Sequence, residues 1–189
     1  MIDENAYGLL IAWHTLEDEE YSLEPDEFVA RCQAFRELVL GCVRERAPAS
    51  ALVVVDVGHA LYLEFAQGDE SEDPISWLRF VRGRLEENEF FSALFLSHGG
   101  RWLKSEEERN EPSIERVSDM PLVSLGGPSE PFRRALYAEA STHASDDHNA
   151  GWGPGVYVDS EAVEALGRRF KNAPTPLSAA GATFFRISG

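Results

Sequence analysis

Apolar positions along the chain follow two rhythms, one of two residues and one of three to four, and the elements follow from where each begins and ends. Ala6 to Trp13 is an unbroken apolar run and reads as a buried strand. After a charged turn, Glu17 to Glu20, Pro25 opens a helix with Asp26 and Glu27 in its first turn, where the helix dipole favours anions. Phe28, Cys32, Phe35, Val39 and Cys42 recur at steps of four and three, which is one helix face, and Pro48 stops the helix. Ala51 to Val57 reads as a second buried strand. Gly58-His59 is a tight link, and Ala60 to Ala66 then alternates, with Leu61, Leu63 and Phe65 opposite Tyr62 and Glu64. Gly68 to Asp73 is an acidic loop. Asp73 caps a second helix with Pro74 in its first position and Trp77, Leu78, Val81 and Leu85 on its apolar face. Phe90 to Ser97 is the next buried strand, and His98-Gly99-Gly100 turns into a short strand around Trp102.

Residues 1–97 therefore run strand, helix, strand, strand, helix, strand. This order resembles the ferredoxin-like βαββαβ arrangement. The resemblance implies an α+β fold, with a mostly antiparallel sheet and helices packed on one face. It implies no function, because that arrangement hosts many. Beyond a charged linker, Lys104 to Pro112, the pattern predicts a strand at Met120 to Leu125 and a helix at Pro131 to Ala140. A polar, Gly-rich loop runs from Ser141 to Gly155, followed by a strand at Val156 to Val158. A helix from Ser160 to Lys171, capped by Asp159 or Ser160, and a last strand from Ala182 to Ile187 complete the chain. Residues 1–189 read as a single domain, with sub-lobes 1–104 and 113–189 as the alternative.

Composition narrows the class. Of 189 residues, 43% are hydrophobic, more than a disordered chain carries. The longest apolar runs fall far short of the roughly 20 residues that span a bilayer. The opening Met-Ile-Asp-Glu-Asn lacks the basic, then apolar, pattern of a secretory signal. Cys32 and Cys42 share one predicted helix, and ten residues of helix separate them by about 15 Å, too far for a disulfide. These features point to a reduced, cytoplasmic protein. The preponderance of Arg over Lys suggests a high-GC bacterial genome. Net charge is −16, and residues 1–73 carry most of it, with seventeen acids against four bases. Such a field repels nucleic acid and anionic membranes and attracts cationic partners, or it serves solubility alone.

Few stretches suggest chemistry. There is no phosphate-cradling loop with Lys, no nucleophile elbow and no paired-Cys zinc pattern, so no cofactor is expected. His143, Asp146 and His148 are possible metal ligands, although their spacing fits no established pattern and a solvated loop is the alternative. Asp56 at the end of an apolar strand groups with His59 and His98 as a possible site. It can equally accept from the Gly58-His59 turn, as Asx residues do. His14, beside Trp13, reads as structural or idle. Trp102 and Trp152 stand among glycines, where a Trp serves as an exposed interface anchor or folds back over the core.

Two functional classes remain. The opening strand Tyr7 to Trp13, the acidic turn Glu17 to Glu20, the long helix from Pro25 and the Trp77 helix resemble in style the immunity proteins of bacterial polymorphic toxin systems. That resemblance implies a non-catalytic acidic protein that neutralises a cationic toxin or enzyme, with a DNA-mimic inhibitor as a variant. The partner would be a basic protein, and neither nucleic acid nor membrane. It would be met through Glu17, Asp18, Glu19, Glu20, Asp69, Glu70, Glu72 and Asp73, with Trp102 and Trp152 as anchors. The alternative is a small bacterial enzyme with a His/Asp site, metal-dependent if the His143 cluster is used.

Overall fold

In a computed structural model of the protein, residues 5–14, 22–68, 72–100, 129–142, 152–167, 177–179 and 181–187 are described. They form β1 (Asn5–Trp13), α1 (Pro25–Arg46), β2 (Leu52–Asp56), β3 (Ala60–Ala66), α2 (Pro74–Glu86) and β4 (Ser92–Gly100). These are followed by α3 (Glu130–Thr142), β5 (Gly155–Asp159), α4 (Ser160–Ala165), β6 (Leu177–Ala179) and β7 (Ala182–Ile187).

All seven strands belong to one sheet, in the order β2-β3-β1-β4-β5-β7-β6. The first four stand in the order β2-β3-β1-β4 and pair antiparallel throughout, as the ferredoxin-like reading of residues 1–97 requires. β4 and β5 pair in parallel, and β5–β7 and β6–β7 return to antiparallel pairing. The fold is thus α+β, with a mostly antiparallel sheet.

Alternation along the strands sorts side chains onto two faces. On one, Leu9, Ile11, Trp13, Leu61, Leu63, Phe65, Leu94 and Leu96 pack against Phe35, Val39 and Cys42 of α1, Trp77, Leu78, Val81 and Leu85 of α2, and Ala162 of α4. These helix stripes are the ones the sequence predicts. α1 is steadied at its start by the Glu27 carboxylate, which accepts from the Glu24 backbone N–H at 3.4 Å. Asp73 caps α2 by accepting from the Ser76 N–H at 2.9 Å. On the opposite face Leu10, Tyr62, Phe95, Tyr157 and Phe184 meet α3 through Phe132, Ala135 and Ala138. Leu10 and Phe95 lie on this second face, so the apolar runs of β1 and β4 are buried on both sides, which is why they lack alternation.

Local departures from the sequence reading have local causes. β4 begins at Ser92, because Phe90 N–H donates to the Leu85 carbonyl at 2.9 Å and closes the turn that ends α2. Glu89 takes the left-handed conformation there, at φ 62°. β6 was not expected. It is three residues long, and Gly181 at φ 82° turns it into β7. The helix predicted to reach Lys171 is described as α4 to Ala165. The strands expected around Trp102 and at Met120 to Leu125 lie outside the described residues.

Candidate functional site

The sheet has two chemically different ends, set about 20 Å apart by the six-residue step from Tyr7 to Trp13 at roughly 3.3 Å per residue. At the first end, β1, β3 and β4 converge with the first turn of α3. The register aligns Gly8 with Glu64 on one side and with Ser97 on the other, and Asp159 follows Val158, the partner of Leu96. A row of Glu64, Gly8, Ser97 and Asp159 thus crosses four strands beneath α3. Glu64 Oε1 accepts from the Tyr62 hydroxyl at 3.0 Å and the Ser129 hydroxyl at 2.8 Å. Gly8 leaves the room that Tyr62 fills, since a Cβ there would collide with the Tyr62 hydroxyl and stand 3.0 Å from Pro131. Burial, followed by the neighbouring Glu64 carboxylate, pushes the Tyr62 hydroxyl well above its ordinary pKa.

Arg134 of α3 ties this end together. Its Nε donates to Asp159 Oδ2 at 2.9 Å, Nη1 lies 3.1 Å from Glu130 Oε1, and Nη2 donates to the His98 carbonyl. Asp159 is fully buried and also accepts from the Ala162 N–H at 2.7 Å, capping α4. Burial raises the Asp159 pKa, and the Ala162 N–H and Arg134 oppose the shift. His98 Nε2 pairs with Gln67 Oε1 at 3.0 Å, and its ring sits 5.2 Å from that of Tyr7. Burial and then the Arg134 charge lower its pKa.

At the second end, the open end, more of the described side chains are exposed. Trp13 N–H donates to the His59 carbonyl at 3.0 Å, and His14 N–H to the Phe91 carbonyl at 2.9 Å. The β2–β3 turn and the start of β4 therefore flank the end of β1. Asp56 accepts from Gly58 N–H at 3.0 Å, the Asx turn expected from sequence, and from Arg36 Nε at 2.6 Å. α1 contributes Phe28, stacked on Trp13 at 6.5 Å, and Arg31, whose guanidinium lies 4.3 Å from the Phe90 ring centre and 5.5 Å from that of Trp13. Large apolar side chains are exposed here: Val29 at 53%, Val57 at 41% and Phe91 at 49%. His59 is exposed and His14 half-buried. This open end, with apolar surface, two imidazoles and two guanidinium groups, is the candidate site.

The residues singled out from sequence separate accordingly. Asp56 and His59 come together at the open end, whereas His98 belongs to the closed end and does not join them. Glu72 pairs with Arg46 at 2.9 Å, Asp73 caps α2, and Trp152 lies half-buried against Phe95, Tyr157 and Phe184. Glu17, Asp18, Glu19, Glu20, Asp69, Glu70, Trp102, His143, Asp146 and His148 lie outside the described residues. Sequence reasoning passed over Arg31, Arg36, Phe91 and Arg134. A signal existed for Arg31, which stands one helical turn after Phe28 and so shares its face.

No protein-family model matches the chain, and no curated protein sequence does. Solved structures do. The chain matches the adenylyl cyclase CyaB from P. aeruginosa with a TM-score of 0.66 at 7% identity, over 98% of this chain and 94% of that one. It matches the guanylate cyclase domain of RhGC from Catenaria anguillulae, solved with GTP, with a TM-score of 0.60 at 8% identity, over 98% and 97%. It also matches the non-canonical dimeric guanylyl cyclase domain of the RhoGC fusion protein from Blastocladiella emersonii, with a TM-score of 0.60 at 8% identity, over 98% and 94%. The fold is that of nucleotidyl cyclase domains.

This likeness corrects the functional reading of the sequence. The structures that the chain follows along nearly its whole length are adenylyl and guanylyl cyclases, not immunity proteins of toxin systems. The non-catalytic inhibitor role and the basic toxin partner are withdrawn with that resemblance. The cationic partner also rested on net charge, which reports on solubility and long-range attraction and is silent on fold. Among the described residues no helix is long and apolar enough to cross a membrane.

A cyclase substrate commonly arrives with Mg²⁺, which takes one or two carboxylates besides phosphate oxygens. Among the described residues no three or more His, Cys, Asp or Glu gather around one point, and the carboxylates at both ends of the sheet are already engaged. Asp56 is held by Arg36 and Asp159 by Arg134, and Glu64 accepts two hydroxyls. Glu64 and Asp159 stand three strand spacings apart, about 14 Å.

Proposed function

We propose that the chain is a cytoplasmic, single-domain nucleotide cyclase-type enzyme that takes a purine nucleoside triphosphate at the open end of its sheet. The observation carrying this reading is the extent of the fold match, 98% of this chain and 94% or more of cyclase domains that include one solved with GTP. In such a reaction the ribose 3′-oxygen forms a bond to the α-phosphorus. The bond from that phosphorus to the bridging oxygen breaks, pyrophosphate leaves with its electron pair, and the hydroxyl proton passes to a base. Imidazole is the usual side chain for moving a proton at neutral pH, and His59 is the exposed imidazole of the open end. Val57 and Phe91 offer apolar surface to a purine ring.

The test is incubation of the purified chain with ATP or GTP in Mg²⁺ or Mn²⁺ buffer, followed by chromatography for cyclic nucleotide and pyrophosphate. Both products in equal amounts support the reading. Absence of both, in a preparation that also fails to bind either triphosphate, overturns it.

A further inference from the structure

His59 of the open end stands in a turn that is pinned from two sides. It follows Gly58, which takes φ 84°, and the Val57 N–H donates to the Ala60 carbonyl at 3.1 Å to close the turn. On one side the Trp13 N–H donates to the His59 carbonyl at 3.0 Å. On the other the Asp56 carboxylate divides its oxygens. Oδ1 accepts from the Gly58 N–H at 3.0 Å, and Oδ2 accepts from Arg36 Nε at 2.6 Å. A hydrogen bond between two charged groups at that distance is of the strong, directional kind. Arg36 is itself fixed by its neighbours. Phe35, fully buried, stacks on Trp13 with ring centres 6.0 Å apart, and Glu37 Oε1 accepts from Arg36 Nη1 at 2.9 Å. The contacts close a circuit, from α1 through Asp56 to the His59 turn, on to Trp13 and back to Phe35 of α1.

We propose that Arg36 is a positioning residue of the open end, holding the Asp56–Gly58 turn against α1 so that His59 stands in one place. This rests on the nucleotide reading above, in which the His59 imidazole takes the proton of the ribose hydroxyl. A base works only when held within hydrogen-bond reach of that proton, and a misplacement of about 1 Å costs up to about a hundredfold in rate. The pair is partly exposed, with side chains at 40% and 22%, so it adds little to stability. What it fixes is the direction in which the turn points.

The test compares the wild type with Arg36→Gln, Arg36→Lys, Asp56→Asn and the double variant of Arg36→Gln with Asp56→Asn. The readouts are cyclisation kinetics with ATP and GTP, backbone amide spectra and melting temperature. Arg36→Gln is expected to shift the Gly58 and His59 amides, to lower kcat about tenfold and to leave KM within about twofold, since the loss falls on proton transfer and not on substrate binding. Its melting temperature should stay near the wild-type value. Arg36→Lys should recover part of kcat, because an ammonium can still meet Asp56. The double variant should lose no more than the worse single one, as residues acting through one contact do. Unmoved Gly58 and His59 amides in Arg36→Gln overturn the assignment, as does an unchanged kcat in an active enzyme, or losses that multiply in full in the double variant. If the wild type makes no cyclic nucleotide, the nucleotide reading fails, and the amide shifts alone decide whether Arg36 holds the turn.

Discussion

The two ends of the sheet are built from the same strands and differ in how their polar groups are matched. At the Tyr7 end, buried carboxylates meet donors from the element packed above them, and Arg134, 13% exposed, reaches fully buried Asp159. At the Trp13 end the corresponding pair, Arg36 and Asp56, stays wet, with side chains 40% and 22% exposed, and large apolar groups face outward. Matched and buried polar groups fix a helix in place, whereas unmatched apolar surface leaves room for a ligand. The closed end holds the sheet and α3 in register, and the open end is where function can be sought.

The largest expected effect comes from breaking the closed end. Arg134→Ala leaves Asp159 buried without its cation and should cost about 3–5 kcal/mol in urea unfolding. A loss under about 1 kcal/mol would mean that the two ends are not different in kind. Gly8→Ala sets a methyl group against Tyr62 and Pro131 and should cost about 1–3 kcal/mol by overpacking. Tyr62→Phe in the same chain should recover part of that loss, since it removes the hydroxyl nearest the new methyl group, and strict additivity of the two changes would contradict the close approach.

Proton uptake should also distinguish the ends. The folded state lowers the His98 pKa, so the neutral ring is the form that folding favours. The stability His98 contributes is therefore present above the unfolded value of about 6.5 and is lost as pH falls through the lower folded value. His98→Gln should flatten the decline in melting temperature below pH 6.5, and an unaltered pH profile would contradict it. The smallest effect belongs to the open end. Asp56→Asn should cost no more than about 1 kcal/mol, and less in high salt, because its pair with Arg36 is solvated.

Much of the fold was legible in the sequence because local signals agree with packing. Pro25 and Pro74 start helices, Asp73 caps one, and the α1 and α2 stripes face the core as their spacing requires. The ferredoxin-like order of residues 1–97 follows from those elements and the Gly58 turn. β6 was not legible, since three residues before a Gly turn carry too little periodicity. The polar row was not legible either: Glu64 and Asp159 are 95 positions apart, and only the β1–β4–β5 register aligns them. Asp56 and His59 were found together, being three residues apart, whereas His98 was grouped with them because it too ends an apolar strand. Strand direction separates them, and single-strand patterns do not encode it. Charge misled most, because −16 suggested a binding partner although net charge is silent on fold.

The proposed docking of a nucleoside triphosphate at the Trp13 end of the sheet has a signature at named residues. Backbone amide NMR spectra recorded while ATP or GTP is titrated into the full chain test it most directly. Saturable shifts are expected at His14, Gly58, His59 and Phe91, with Gln67, His98 and Gly99 unmoved. Shifts centred on His98 and Gly99, or none at millimolar nucleotide, would contradict it.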